Sequence, residues 1–276
     1  MGGYWVMSEK LTNISETLYV PMAGRIYAGH KFPHIINDSK VIMLENKISE
    51  SKDIFKGQTE YTLMASAVRS KNIDAHIKEF LLKNPDGVIV NLGCGLETTF
   101  YRCDNKIASW YELDLAEVIK LRKELLGNEE RNTTLAYSVF DDEWLDIIRK
   151  KADKKAVCFT ASGLLYYFTK TQVIELMRKL CSIPNAQIVF DTVNSLGMKQ
   201  MSRYMNKIGH KEAEMFFFVD DAKDLAKEIS NSVTVIKESD YYSEVKNRKG
   251  MKLMTRISMS VSDMFHMVKM ISLKLS

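Results

Sequence analysis

The sequence predicts a doubly wound, mostly parallel seven-stranded α/β sheet with a helical N-terminal cap. Three observations lead there. From Asn84 onward, apolar strand-like runs alternate with amphipathic helical patterns. The first run breaks into Gly93-x-Gly95, where two residues without side chains let the backbone turn sharply and come close to a ligand. Asp114 then follows 19 residues after Gly95, at the end of the second run, where a carboxylate can grip a ribose diol.

Along the chain, the first 83 residues lack strand alternation and read as helical, with Glu60–Ser70 and Ile73–Leu82 the strongest helices. Residues 1–83 are expected to cap the carboxyl edge of the sheet, where open α/β sheets hold their ligands, and residues 84–276 to form the α/β core. Asn84-Pro85-Asp86-Gly87 is a turn that delivers the chain into the first strand. Val88–Leu92 is apolar throughout, as a strand covered on both faces must be. The further strands predicted are Ile107–Leu113, Thr134–Tyr137, Ala156–Ala161, Ala186–Thr192, Val233–Ser239 and Leu253–Ser260, with an antiparallel finish. Between them come helices at Ala116–Leu126, Trp144–Lys150, Thr171–Cys181 and Ala222–Ile229, the last with Asp221 as its N-cap. In the closing segment Met264, Met267, Val268, Ile271 and Leu275 recur at helical spacing. That pattern predicts a C-terminal helix packed on the core, with a membrane-surface or partner-binding helix as the alternative.

Composition narrows the function classes. The chain has 276 residues, 46% hydrophobic and 27% charged, enough for one sizeable core. Lysine and arginine exceed aspartate and glutamate by 39 − 35 = 4, and the basic residues are interspersed with acids, so no nucleic-acid-binding arm stands out. Cys94, Cys103, Cys158 and Cys181 form no CxxC pair, and no leader pattern opens the chain, which predicts free thiols in a reducing cytoplasm. No apolar run reaches the ~18 to 20 residues of a membrane span. Sixteen methionines fit a pliable interior or pocket.

The glycine motif discriminates between cofactors. A dinucleotide fingerprint has a third glycine three residues after the second, and here Thr98 stands in that position, which argues against a pyrophosphate. A methyl donor without phosphate asks for less: glycines near its amino-acid end, an acid for the ribose and a contact for the adenine. The rivals are an NAD(P)-dependent oxidoreductase, a non-catalytic binding protein, and a plain strand-to-helix turn that uses glycine for its dihedrals.

Arg69 followed by Asp74, then Val90-Asn-Leu-Gly-Cys-Gly-Leu-Glu-Thr-Thr-Phe-Tyr-Arg102, Trp110-Tyr-Glu-Leu-Asp-Leu-Ala-Glu-Val-Ile119, Ser138-Val-Phe-Asp-Asp-Glu-Trp144 and Ala161-Ser-Gly-Leu-Leu-Tyr-Tyr167 together resemble the leucine carboxyl methyltransferase family. The likeness is strongest to its bacterial branch of polyketide O-methyltransferases. It runs from about Leu18 to about Asp191 and implies a class I methyltransferase-like sheet, S-adenosylmethionine as cofactor, and transfer of a methyl group to a hydroxyl or carboxylate of a small-molecule metabolite.

The resemblance also implies roles. Arg69 would hold the methionine carboxylate of the donor, as a guanidinium fork suits. Gly93, Cys94 and Gly95 would face the same end. Asp114, with Leu115 beside it, would bind the ribose hydroxyls; its alternative is to cap the helix that follows, and Glu112 lies on the same strand face. Ser138 and Val139 occupy the position of an Asp-Leu pair at the adenine, and Ser162 that of a usual glutamate. Tyr166 and Tyr167 are candidates for the acceptor pocket, against a role in the core. Arg25 is a candidate for the donor or acceptor site, with a cap-to-core ion pair as the alternative. Of the scattered histidines His30, His34, His76, His210 and His266, His30 and His34 fall in the cap and are the first candidates for a general base, and His30 is also a candidate for the acceptor pocket. No metal-ligand spacing and no nucleophile elbow is present.

Overall fold

The computed structural model describes residues 18–49, 54–207 and 215–276. Helix α1 covers 18–31, α2 Ser39–Ser49 and α3 Glu60–Lys83. The strands are β1 Val88–Leu92, β2 Ser109–Asp114, β3 Asn132–Ala136, β4 Val157–Ala161, β5 Ala186–Val193, β6 Thr234–Asp240 and β7 Val268–Lys274. Between them lie α4 Thr99–Cys103, α5 Ala116–Leu126, α6 Glu143–Ala152, α7 Lys170–Leu180, α8 Ser195–Lys207, α9 Ala222–Ile229 and α10 Leu253–Met264.

The seven strands form one sheet in the order β3-β2-β1-β4-β5-β7-β6. The neighbours from β3 through β5 pair in parallel, and β7 runs antiparallel to both β5 and β6. Strand order reverses between β1 and β4, so the chain leaves those two strands toward opposite flanks and opens a crevice above their carboxyl ends. Alternation within β1 divides the core. Val88, Val90 and Leu92 pack with Trp144, Leu176 and Leu225 on one face, whereas Ile89 packs with Met64, Ile77, Phe80 and Trp110 on the other.

Helix α3 is a single element of 24 residues, where the sequence predicts two helices. The polar interruption at Lys71 and Asn72 does not end it, because the buried Asn72 amide donates to the Tyr241 carbonyl oxygen at 2.8 Å. This helix covers one sheet face. Helix α1 lies over the glycine turn, with Met22, Ala23 and Ile26 in a smaller cluster that includes Leu63 and Leu96.

The largest correction falls in the last third. Leu253–Ser260, predicted as a strand, belongs to α10, and the predicted C-terminal helix over 264–275 is instead built around β7. Alternating apolar residues in Leu253-Met-Thr-Arg-Ile-Ser-Met-Ser260 imitate a strand, but the residues buried are Thr255, Met259 and Ser262, at helical spacing. Met270, Ile271, Ser272 and Leu273 are all buried because β7 sits between two strands with both faces covered, and a continuous apolar run carries no period of its own. Asp221 does cap α9, accepting from the Lys223 and Asp224 amides. No helix among the described residues is long and apolar enough to cross a membrane.

Candidate active site

The chain leaves β1 through Gly93 and Gly95, both in the left-handed region at φ +60° and +46°. A Cβ on Gly93 would lie 2.7 Å from Leu164 Cδ1, and one on Gly95 would lie 3.1 Å from Leu18 Cδ2 of α1. The turn therefore needs glycine for its dihedrals and for the close approach of two leucines. Between them the Cys94 amide donates to the Leu113 carbonyl oxygen, which fixes the turn beside β2.

Asp114 ends β2. One carboxylate oxygen accepts from the Gly95 amide at 2.7 Å and the other from the Leu115 amide at 2.8 Å. Burial pushes this carboxyl up from its ordinary value, and the two amides pull against that. The side chain remains partly exposed at the sheet edge, so lone pairs are left for a ligand. Glu112 is spent: it is fully buried, receives the Asn91 amide at 2.9 Å and pairs with Arg122 at 3.0 Å. Arg122 in turn donates to the carbonyl oxygens of Gly95 and Glu97, tying α5 to the glycine turn.

A second cluster forms beyond β4. Gly163, at φ +69°, donates its amide to Asp191 Oδ1 at 2.7 Å. Asp191 Oδ2 accepts from the Tyr166 hydroxyl at 2.8 Å and from Arg69 Nη1 at 3.5 Å. Arg69 comes from the middle of α3 and lies against Gly163, where any Cβ would collide with the guanidinium. Burial works against its charge, but Asp191 and the nearby tyrosines outweigh it and hold the proton more firmly than in water. Among the described residues, the remaining guanidinium N–H groups have no protein acceptor, and the side chain is 18% exposed. An ionised, half-satisfied fork at the crevice suits a ligand carboxylate.

Asp191 escaped the sequence reading. The signal was there: an acid inside the otherwise apolar strand Ala186–Val193 must have buried partners. Thr98 was read only as a missing glycine, yet its hydroxyl donates to Asp38 in a buried ion cluster. That cluster also claims Arg25, which is 1% exposed and donates to Asp38, Glu97 and the Leu96 carbonyl oxygen. Arg25 therefore makes the cap-to-core ion pair.

His30 is half-exposed on α1 and pairs with Glu45 at 2.6 Å. His34 bonds the Asn247 carbonyl oxygen, His76 the Asn72 carbonyl oxygen, and His266 pairs with Asp240; His210 lies outside the described residues. Ser138 accepts from the Phe140 amide through its hydroxyl, Val139 is buried, and Ser162 is partly buried beside Gly163. Tyr166 is buried, whereas Tyr167 is 42% exposed. Two surface clefts of about 410 and 460 Å³ lie along α4 and include none of Arg69, Asp114 and Asp191.

Exchanging Gly163 for alanine tests the second cluster. The positive φ costs about 1–3 kcal/mol in a non-glycine residue, and the added methyl displaces Arg69. The expected outcome is a lower melting temperature together with at least tenfold weaker binding of S-adenosylhomocysteine in calorimetry.

A parallel sheet with a reversal between β1 and β4, a glycine turn above it and an acid ending β2 define the class of doubly wound α/β sheets whose carboxyl edge suits a nucleotide-type cofactor. A crystal structure of a DUF574 family protein from Streptomyces avermitilis matches with a TM-score of 0.58 at 10% identity, over 91% of this chain and 96% of that one. The plantazolicin methyltransferase BpumL, solved with a triazolic desmethylPZN analog and S-adenosylhomocysteine, matches with a TM-score of 0.50 at 13% identity, over 94% and 98%. In sequence, the chain is 25% identical over 186 residues to the tetracenomycin polyketide synthesis O-methyltransferase TcmP of Streptomyces glaucescens, 67% of each protein. The profile of the leucine carboxyl methyltransferases matches residues 21–181, more than half of the chain. The chain belongs to the leucine carboxyl methyltransferase family and is an S-adenosylmethionine-dependent methyltransferase.

Proposed function

We propose that this methyltransferase transfers the methyl group to a hydroxyl or carboxylate oxygen of a small metabolite, and that the crevice above β1 and β4 holds both donor and acceptor. The observation that carries the reading is the convergence there of an under-satisfied guanidinium, two positive-φ glycine turns and an amide-held carboxylate. Arg69 binds the donor's carboxylate, Gly93, Cys94 and Gly95 run beside its amino-acid end, and Asp114 with Leu115 binds the ribose hydroxyls. Ser138 and Val139 border the adenine, and Ser162 lies alongside.

The donor, when bound, supplies an electrophilic methyl on a sulfonium. What the chain has to do is hold the acceptor oxygen in line and keep water out. Tyr166 contributes no base: burial first, then Asp191, holds its hydroxyl protonated far above neutrality. A carboxylate acceptor needs no base, whereas a phenol must arrive ionised. Tyr167 and Phe216 offer an aromatic wall for such an acceptor. Both are exposed, and the Phe216 amide donates to the Tyr166 carbonyl oxygen at 2.8 Å, which holds the Phe216 backbone beside that of the residue preceding Tyr167. TcmP, named for polyketide O-methylation, is in keeping with an aromatic acceptor. The four unpaired thiols suit a reducing compartment.

Incubation with methyl-labelled donor and a panel of aromatic acids, phenols and a leucine-ended peptide tests the reading. Label on an oxygen of an aromatic small molecule is expected. Label only on the peptide, or only on nitrogen or carbon, would refute it.

A further inference from the structure

Helix α10 has two apolar faces. The inner one, Thr255, Met259 and Ser262, is buried, and Thr255 donates to Glu60 of α3 at 2.7 Å. Directly opposite, Leu253, Met254, Ile257, Val261 and Met264 are all exposed, Met254 and Met264 each by 70%, and Phe265 continues the stripe at 50%. With 3.6 residues per turn the five helical members fall within an arc of about 100°. A surface helix normally turns charge to solvent on that side. Here the outward side is the more apolar of the two.

The charge around the stripe is one-sided. From Val245 to Ser262 there is no acid, and Lys246, Arg248, Lys249, Lys252 and Arg256 make this segment alone more positive than the whole chain, whose net charge is +4. Arg248 is paired with Asp263. Lys246, Lys249 and Arg256 are exposed and have no carboxylate partner among the described residues, and the exposed Lys252 lies near the buried Glu60 of α3. At the N-cap of α10 the Lys252 amide donates to the buried Glu60 carboxylate at 2.7 Å, which fixes the start of the helix on α3.

We propose that α10 is a docking surface for an anionic lipid bilayer, with the stripe entering the interface and the cations above it meeting headgroup phosphates and carboxylates. Three features favour this occupant. Only the outer arc of the helix is free, because the inner arc is packed against α3, so a flat surface fits and an enveloping groove does not. Two copies docked through the stripe would bring two acid-free cationic segments together, which like-charge repulsion opposes. The apolar members include Met254 and Met264, unbranched and adaptable side chains that insert easily among acyl chains. The stripe lies on the segment joining β6 to β7, which starts and ends at the carboxyl edge of the sheet, so docking would bring the crevice toward the bilayer. This surface is independent of the acceptor proposed above.

Co-sedimentation of the full chain with vesicles tests it. Binding is expected to vesicles of phosphatidylcholine containing one third phosphatidylserine, weakly or not at all to pure phosphatidylcholine, and to fall as salt is raised. Each exposed cation near an anionic surface strengthens partition by about fivefold. Lys249→Gln with Arg256→Gln should therefore weaken it by more than tenfold, and Met254→Glu with Ile257→Glu should abolish it. All four positions are exposed, so both variants should melt at the temperature of the unaltered chain. A full chain that stays in the supernatant overturns the proposal, whether the stripe is covered by a second copy, by another segment or by nothing. So does a dimer that Met254→Glu with Ile257→Glu converts to monomer, or vesicle binding that survives both variants.

Discussion

Arg102→Ala is expected to bring the chain to the edge of unfolding at neutral pH. Arg102 is 5% exposed and meets three carboxylates: Asp74 at 2.7 and 2.9 Å, Asp38 at 2.6 Å and Glu97 at 2.8 Å. These acids come from α3, the segment between α1 and α2, and the turn after Gly95. One guanidinium thus fastens the N-terminal helices to the glycine turn at the carboxyl edge of the sheet. Removing one partner of a buried pair costs about 3–5 kcal/mol, because the others stay buried without compensation. A domain has only about 5–15 kcal/mol in total. Arg25 remains within reach of Asp38 and Glu97 but not of Asp74, so the loss is only partly shared. The pH dependence identifies the cause. Burial alone would raise the Glu97 carboxyl, but Arg25 and Arg102 outweigh it and hold it well below its ordinary 4.5. That depressed value contributes stability above the unfolded pKa, lost as pH falls through the folded one. In Arg102→Ala the depression is reduced, with Arg25 and the Thr98 amide still acting on Glu97, so the stability gap between variant and parent should be widest near neutrality and narrow below pH 4.5. Urea unfolding at a series of pH values measures it; a gap that stays constant into acid would assign the loss to packing alone.

The same cluster explains why the donor side was more legible in the sequence than its supports. Gly93, Gly95 and Asp114 act through backbone within one strand–turn–strand, and local pattern records that directly. Arg25, Thr98 and Asp191 take their roles from partners brought in by the fold, such as Glu97, 72 residues from Arg25, and Arg69, 122 residues from Asp191. A single position cannot show that. Thr98 is instructive: its departure from a dinucleotide motif was legible, but the reason, a hydroxyl bonded to buried Asp38, was not. Strands β1, β4 and β5 were readable because each is a largely apolar run bounded by a turn. The exchange between α10 and β7 arose from α10's second apolar face, which erased the helical contrast that β7, buried on both sides, then seemed to supply. The feature that misled the secondary-structure reading is the same one that offers a surface for docking.

Arg69→Lys is expected to weaken binding of S-adenosylhomocysteine by ten- to a hundredfold while leaving the fold intact. Lysine keeps a cation near Asp191, which is 2% exposed and would otherwise be stranded, but it loses the planar fork that meets a carboxylate with two parallel bonds. A charge-assisted hydrogen bond contributes about 1.5–3 kcal/mol, which sets the size of the loss. Alanine at the same position would confound binding with the cost of unpaired Asp191, so lysine is the cleaner probe. The ligand distinguishes Arg69 from Asp114. 5′-Methylthioadenosine keeps the adenosine and the sulfur but has no amino acid, so Arg69→Lys should leave its affinity nearly unchanged. Asp114→Asn should weaken both ligands, because the ribose is common to them and an amide offers one acceptor oxygen where the carboxylate offers two. Calorimetry of the two variants against the two ligands therefore gives a pattern of three losses and one retention. If Arg69→Lys weakens both ligands equally, the arginine shapes the crevice through Gly163 and Asp191 and does not read the carboxylate. If it weakens neither, the donor's amino-acid end lies elsewhere along the sheet edge.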